Sequence, residues 1–258
     1  MIAASPIPAE HLLFNSVIAY VIGVVFVATL IRSTLGFGEA LVAVPLLAIR
    51  IPITVAAPLA VLISVVVAAV VVVQDWHRIE LRSASGLILS SLPGIPAGVL
   101  LLVKGNEHVV KSLLGVLIVA FSIYSLAARN ARQLSEDHPG WLVSCGFVSG
   151  VLGGAYGMNG PPLAIYGALR GWSPQHFRAT LQGYFLPASL VGLAGYAAVG
   201  LWNPVITRYF LLSLPAVAVA ILLGRAINER MSGHGFFRFV YLGLIVIGGV
   251  LVAQATLG

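Results

Sequence analysis

Charge is scarce in this chain. Of 258 residues, only 9% are Asp, Glu, Lys or Arg, against about 25% in soluble domains. Hydrophobic residues make up 59%, and the mean hydropathy is +1.03. A soluble fold of this length cannot hide so much apolar surface, so a water-soluble domain is excluded and lipid is the natural solvent. Cysteine is almost missing. Cys145 stands alone in an apolar run, which rules out a disulfide within the chain and a C-x-x-C metal or redox site; it is expected to be a small packing residue. Basic residues are missing from Met1–His11, where a cleaved signal peptide would carry them. Leu12–Ile31 is long enough to span and is expected to remain as a mature helix. Catalytic signatures are missing too. The chain has no G-x-x-x-x-G-K-[ST] loop, no H-E-x-x-H and no G-x-S-x-G, which speaks against P-loop ATP binding and against an intramembrane hydrolase. The six histidines are scattered through loops and termini, and acidic residues such as Asp75 form no dyad. The expectation is a non-enzyme, with no catalytic residue, no cofactor and no metal.

What is present is a series of continuous apolar runs. A transmembrane β-barrel would alternate polar and apolar residues, so the expected class is an all-α polytopic membrane protein. A helix needs about 20 apolar residues to cross the bilayer. Candidate spans are Ile51–Gln74, Ser83–Val103, Ser112–Ala128, Ala179–Thr207, Tyr209–Gly224 and Phe239–Gly258. Polar segments separate them: Asp75–Arg82, Lys104–Lys111, Arg129–His138, Trp202–Arg208 and Arg225–Arg238. The net charge of +6 comes from basic residues placed singly or in pairs between these runs. That is the pattern of charges that orient helices, not of a nucleic-acid surface.

Two stretches do not fit a single span. Pro139–Leu169 is 31 residues without charge, too long for one upright helix and too short for two. Glycines and paired prolines at Gly153–Pro162 break it, leaving arms Trp141–Leu152 and Pro161–Leu169. Leu12–Ile49 breaks in the same way at Arg32–Glu39, and its second arm, Ala40–Ile49, is too short to span alone.

The two odd stretches are related. A shift of 121 lays Phe26-Val27 on Phe147-Val148 and Gly36-Phe37-Gly38 on Gly157-Met158-Asn159. A shift of 122 lays Ser91-Leu92-Pro93 on Ser213-Leu214-Pro215. The expected organisation is two homologous transmembrane repeats, 10–130 and 139–258, joined by a cytoplasmic linker at 131–138. Each repeat is a broken helical hairpin followed by three helices, and Pro93 and Pro215 are expected as matched kinks. If the hairpins return to their starting side, three crossings remain per half and the second repeat is inverted. With Arg32 set aside as too deep, the inverted arrangement puts nine basic residues on one side and four on the other; a parallel one gives eight and five. The positive-inside rule favours inversion. It places both termini outside the cytoplasm of a cell (inner) membrane.

Inside lipid, irregular backbone is tolerated where protein or a cavity surrounds it. Inverted repeats with broken helices hold substrate near the midplane, where half-helix ends supply partial charge. Half-helix N-termini are expected at Glu39–Ala40 and Gly160–Pro161, with Asn159 as N-cap and Pro161 in the first turn. Such ends attract anions. The candidate substrate-binding residues are Gly36, Phe37, Gly38, Glu39, Gly157, Met158, Asn159, Gly160, Pro161, Arg178 and Gln182. Arg32 and Glu39 flank the first break at depth, where a charge is usually paired or functional. Two readings stay open: an ion pair that pins the tip, or an anion contact at Arg32 beside a proton-responsive Glu39. Arg178 and Gln182 share a helix face at i,i+4, and a buried amide at Gln182 should have a partner.

These residues resemble the TauE/SafE sulfite exporter family. The resemblance is carried by Leu35 to Leu47 in the first half, and by Gly146 to Gly150, Gly157 to Pro162 and Phe177 to Thr180 in the second. The family often has a Gly-rich triplet where this chain has Gly38-Glu39 and Asn159-Gly160. The resemblance implies secondary transport of a small anion such as sulfite or an organosulfonate, coupled to protons. The expected partners are that anion and the lipid bilayer; a homo-oligomer stays open. Two other readings are a passive anion channel and a permease subunit of a larger membrane complex.

Overall fold

The computed structural model describes residues 9–127, 138–170 and 174–230, together with the single positions 245, 249 and 253. The described residues form helices and no strand. In order these are α1 (Ala9–Leu35), α2 (Glu39–Leu47), α3 (Ile53–Asp75), a 3-10 turn (Trp76–Arg78), α4 (Leu81–Ser91), α5 (Gly94–Lys104), α6 (Glu107–Ala127), α7 (Pro139–Tyr156), α8 (Gly160–Leu169), α9 (Pro174–Ala198) and α10 (Pro204–Arg230). Among the described residues, three stretches are long and apolar enough to cross a membrane: Ser16–Thr34 in α1, Ile53–Gln74 in α3 and Pro204–Ile227 in α10. The pair α4 and α5, bent by 43°, adds a fourth if taken as one span.

Both expected breaks are present. The first is the three residues Gly36 to Gly38, the second Gly157 to Asn159, and the shift of 121 carries one onto the other. It also carries the start of α3, Ile53, onto the start of α9, Pro174. The breaks are built on left-handed backbone, with φ of 87° at Gly36, 96° at Gly38 and 69° at Gly157. A side chain is strained in that region, so glycine is the residue that fits. At Gly157 space demands it too: a Cβ would stand 2.8 Å from a methyl of Val61. The N–H groups of Gly157 and Met158 close α7 by donating to the carbonyls of Gly153 and Leu152.

Some boundaries differ from expectation. The run Ala179–Thr207 is not one helix. α9 ends at Ala198, Gly200 turns the chain with φ 75°, and Pro204 opens α10 as its first residue, a position where a missing N–H costs nothing. Thr207 therefore belongs to α10. The matched kinks at Pro93 and Pro215 are not alike: the chain bends between α4 and α5 beside Pro93, while Pro215 lies inside the continuous α10. The span Phe239–Gly258 and the linker 131–138 lie outside the described residues, apart from isolated positions.

Helices of one half pack on helices of the other. α1 packs along α10, α7 along α4 and α5, and α3 against α9. Small residues at four-residue spacing build these contacts: Gly146 and Gly150 of α7 meet α4 at Leu87 and Ser91, while Gly94 and Gly98 of α5 and Gly154 of α7 bring α5 and α7 together. A Cβ at Gly98 would lie 2.0 Å from the Val151 carbonyl oxygen, and one at Gly154 would lie 2.1 Å from that of Ile95. Such spacing lets helix backbones touch where no hydrophobic effect drives them together.

Candidate anion site at the helix breaks

The two breaks meet. Gly38, Glu39, Ala40 and Leu41 from the first, and Gly157, Met158, Asn159 and Gly160 from the second, line one internal cavity with Arg32, Ser64 and Phe185. Its volume is about 20 Å³, room for about one water. α2 and α8 both begin at this cavity, at Glu39 and Gly160. The first N–H groups of a helix lack intrahelical partners and carry partial positive charge, so both ends favour an anion between them. No side chain caps the start of α2.

Arg32 is the centre of the polar cluster. It lies in the last turn of α1 and is 3% exposed, as is Glu39. Its Nη1 donates to Glu39 Oε2 at 2.5 Å and to Ser64 Oγ at 2.7 Å. Its Nη2 donates to Gln182 Oε1 at 2.8 Å. The Phe185 ring covers the guanidinium at 5.1 Å, within reach of a cation–π contact. Among the described residues, Nε of Arg32 has no hydrogen-bond partner. Gln182 is held from its other end, since Nε2 donates to the Gly36 carbonyl. Thr29 donates to the second oxygen of Glu39 at 3.2 Å, and Ser64 and Ser189 hydroxyls share a bond at 3.3 Å. Four helices thus converge on one buried ion pair.

The structure brings together most of the expected site residues. Gly38, Glu39, Gly157, Met158, Asn159 and Gly160 line the cavity. Gly36 and Gln182 adjoin it through their mutual hydrogen bond. Phe37 is buried beside it, edge-on to Phe177 at 5.9 Å, with its ring within 3.5 Å of where a Cβ on Gly160 would lie. Pro161 is not among the cavity residues; it lines a separate apolar cleft with Leu117, Phe121, Trp141 and Leu152. Arg178 lies in α9 one turn before Gln182, and its side chain is outside the described residues. Asn159 does not cap α8 through its side-chain oxygen. Oδ1 is buried without a partner among the described residues and lies over Gly153, where a Cβ would approach it to 1.7 Å. The second break is instead tied by Ser149, whose hydroxyl donates to the Asn159 carbonyl at 2.7 Å.

Sequence reasoning missed Thr29, Ser64, Phe185 and Ser189. Ser64 left a signal, as the lone hydroxyl between Thr54 and Gln74 in an otherwise apolar span. Among the described residues, no group of three His, Cys, Asp or Glu side chains is placed to hold a metal.

Comparison with known proteins gives the chain a family. The model of the family described as Sulfite exporter TauE/SafE matches residues 21–251. A relative from Cupriavidus necator, named "Probable sulfite/organosulfonate exporter TauE", is 25% identical over 181 residues, which is 69% of this chain and 71% of that protein. No solved structure matches. With the family model covering both breaks and nearly the whole chain, the protein belongs to the TauE/SafE sulfite exporter family.

Proposed function

We propose that the protein is a secondary transporter that carries a small anion, sulfite or an organosulfur anion, across the cell membrane by alternating access driven by protons. The observation that supports this most is the convergence of two helix N-termini from two matched breaks on a cavity that also holds Arg32. The anion would lie between Gly36–Glu39 and Gly157–Gly160, against Arg32 and Gln182, with Arg178 contributing from α9. The name of the Cupriavidus necator relative supports the substrate class.

The two halves would rock against each other as inverted repeats, 10–130 against 139–258, with both termini outside the cytoplasm. This draws support from the register of the breaks and from the cross-packing of α1 on α10 and of α7 on α4 and α5. A pseudo-two-fold axis relating the halves would exchange those two contacts and leave α3 against α9 unchanged. The cavity in the described conformation is too small for a polyatomic anion, as a closed stage between two open ones would be. Uptake of labelled sulfite and organosulfonates into proteoliposomes under an imposed proton gradient tests the reading. Saturable uptake with counterflow is expected. Flux without counterflow would favour a passive channel, and no anion movement under any gradient would refute transport.

A further inference from the structure

We propose that Glu39 is a tethered counter-ion: its carboxylate occupies the place on Arg32 that a substrate anion takes, and the anion enters when Glu39 has gained a proton and let Arg32 go. The proposal rests on the anion-transport reading and names the group that couples it to protons. Arg32 engages Glu39, Ser64 and Gln182 through its terminal nitrogens, and of these partners only Glu39 is charged. Gln182 is fixed by Gly36, and Phe185 closes one face of the guanidinium. The carboxylate is therefore the partner whose departure frees a charged hydrogen-bonding edge of Arg32 toward the cavity. It is also the partner that must change state, because two anions on one buried guanidinium oppose each other's ionisation.

Among the described residues, the surroundings leave one titrating acid for this task. From α1, Arg32 and Thr29 face Glu39. From α3 comes Ser64, from α9 Phe185, and from the second break Met158 and Asn159; none of these titrates. α6, which also packs on α2, supplies no residue to the cavity. Among the described residues, Arg32 and Glu39 are the charged groups lining it. The repeat does not duplicate them, since the shift of 121 puts Arg32 on Gly153 and Glu39 on Gly160. With Glu39 the one titrating acid among the described residues that line the cavity, one proton accompanies each anion. Glu39 takes the proton from water on whichever side the site is open and keeps it while the anion is bound. Neutral Glu39 no longer competes for the positive start of its own helix, so α2 and Arg32 act on the anion together.

Binding of methanesulfonate, whose sulfonate stays ionised throughout, to the purified full-length protein in detergent tests this between about pH 5 and pH 9, with sulfite as a second probe. Wild-type Kd should rise about tenfold per pH unit on the alkaline side, the linkage expected when one proton must be gained on binding. Glu39→Gln mimics the protonated acid and should bind at least as tightly as the wild type at low pH, with no pH dependence. The double variant Arg32→Gln, Glu39→Gln removes both charges together and should bind at least a hundredfold more weakly at every pH. A flat wild-type profile, or a slope retained in Glu39→Gln, would overturn the tethered counter-ion while leaving anion binding intact. Failure of wild type and Glu39→Gln to bind either probe at any pH would overturn the anion reading and this one with it. If Glu39→Gln does not fold, the wild-type slope and the double variant decide.

Discussion

Gly98→Ala probes the closest helix contact in the fold. The added Cβ would lie 2.0 Å from the Val151 carbonyl oxygen and 2.7 Å from the Ala155 nitrogen, both backbone atoms of α7. Carbon and oxygen rest at about 3.3 Å even in a favourable C–H···O contact, so α5 and α7 must part by more than about 1 Å. Backbone cannot rotate away as a side chain can, and overpacking of this kind costs about 1–3 kcal/mol. Gly23→Ala in α1 is the control, because no described residue lies within 4 Å of its Cβ position. There the substitution should gain up to about 1 kcal/mol from helix propensity. For a chain of this size each kcal/mol moves Tm by about 2–4 °C. Thermal unfolding in detergent should therefore show Gly98→Ala falling by roughly 2–12 °C and Gly23→Ala level or slightly raised, on the same scale. Gly154→Ala, whose Cβ would meet the Ile95 carbonyl oxygen at 2.1 Å, should fall like Gly98→Ala. A Gly98→Ala protein as stable as the wild type would refute backbone contact between α5 and α7.

Other consequences follow from the site. Glu39→Ala leaves a buried guanidinium without its counter-charge and should cost about 3–5 kcal/mol, whereas replacing Arg32 and Glu39 together by alanine should cost clearly less than the sum of the two single alanine changes; a double-mutant cycle on Tm reads the coupling, and additive effects would contradict the pair. Gly153→Ala drives a Cβ into Asn159 Oδ1 and should lower anion binding at least about tenfold (a cost of about 1.4 kcal/mol) with near-normal yield of folded protein; unchanged binding would remove Asn159 from the site. A reporter fused after Gly258 should be periplasmic in a bacterial host, and a cytoplasmic signal would sink the inverted orientation.

The breaks were legible because glycine and proline act through the backbone, and backbone chemistry is local. Gly36 to Gly38 and Gly157 to Asn159 fall inside the expected segments, and Glu39 and Gly160 do start helices. Arg32 and Glu39 were legible because charge in an apolar run needs a partner, and the two are hydrogen-bonded to each other. Gln182 found its partners in Arg32 and the Gly36 carbonyl, about 150 residues away in the chain, which no local pattern could supply. Ser64 and Phe185 were missed for a related reason. A serine in an apolar helix usually satisfies itself on its own backbone, and a phenylalanine among many carries no sign of the cation it covers. Asn159 was misjudged as a cap because the residue type fits that role, while the open space over Gly153 decides where its side chain goes. The helix ends near Gly200 and Pro204 lay in a run whose lack of charge masked a turn.

The central claim is that the two breaks form one anion site served by Arg32. Counterflow of labelled sulfite in proteoliposomes, wild type against the Arg32→Gln, Glu39→Gln double variant at equal folded protein, tests it most directly. A saturable overshoot is expected in the wild type, and its loss in the double variant. No flux in the wild type, or undiminished counterflow in the variant, would contradict it.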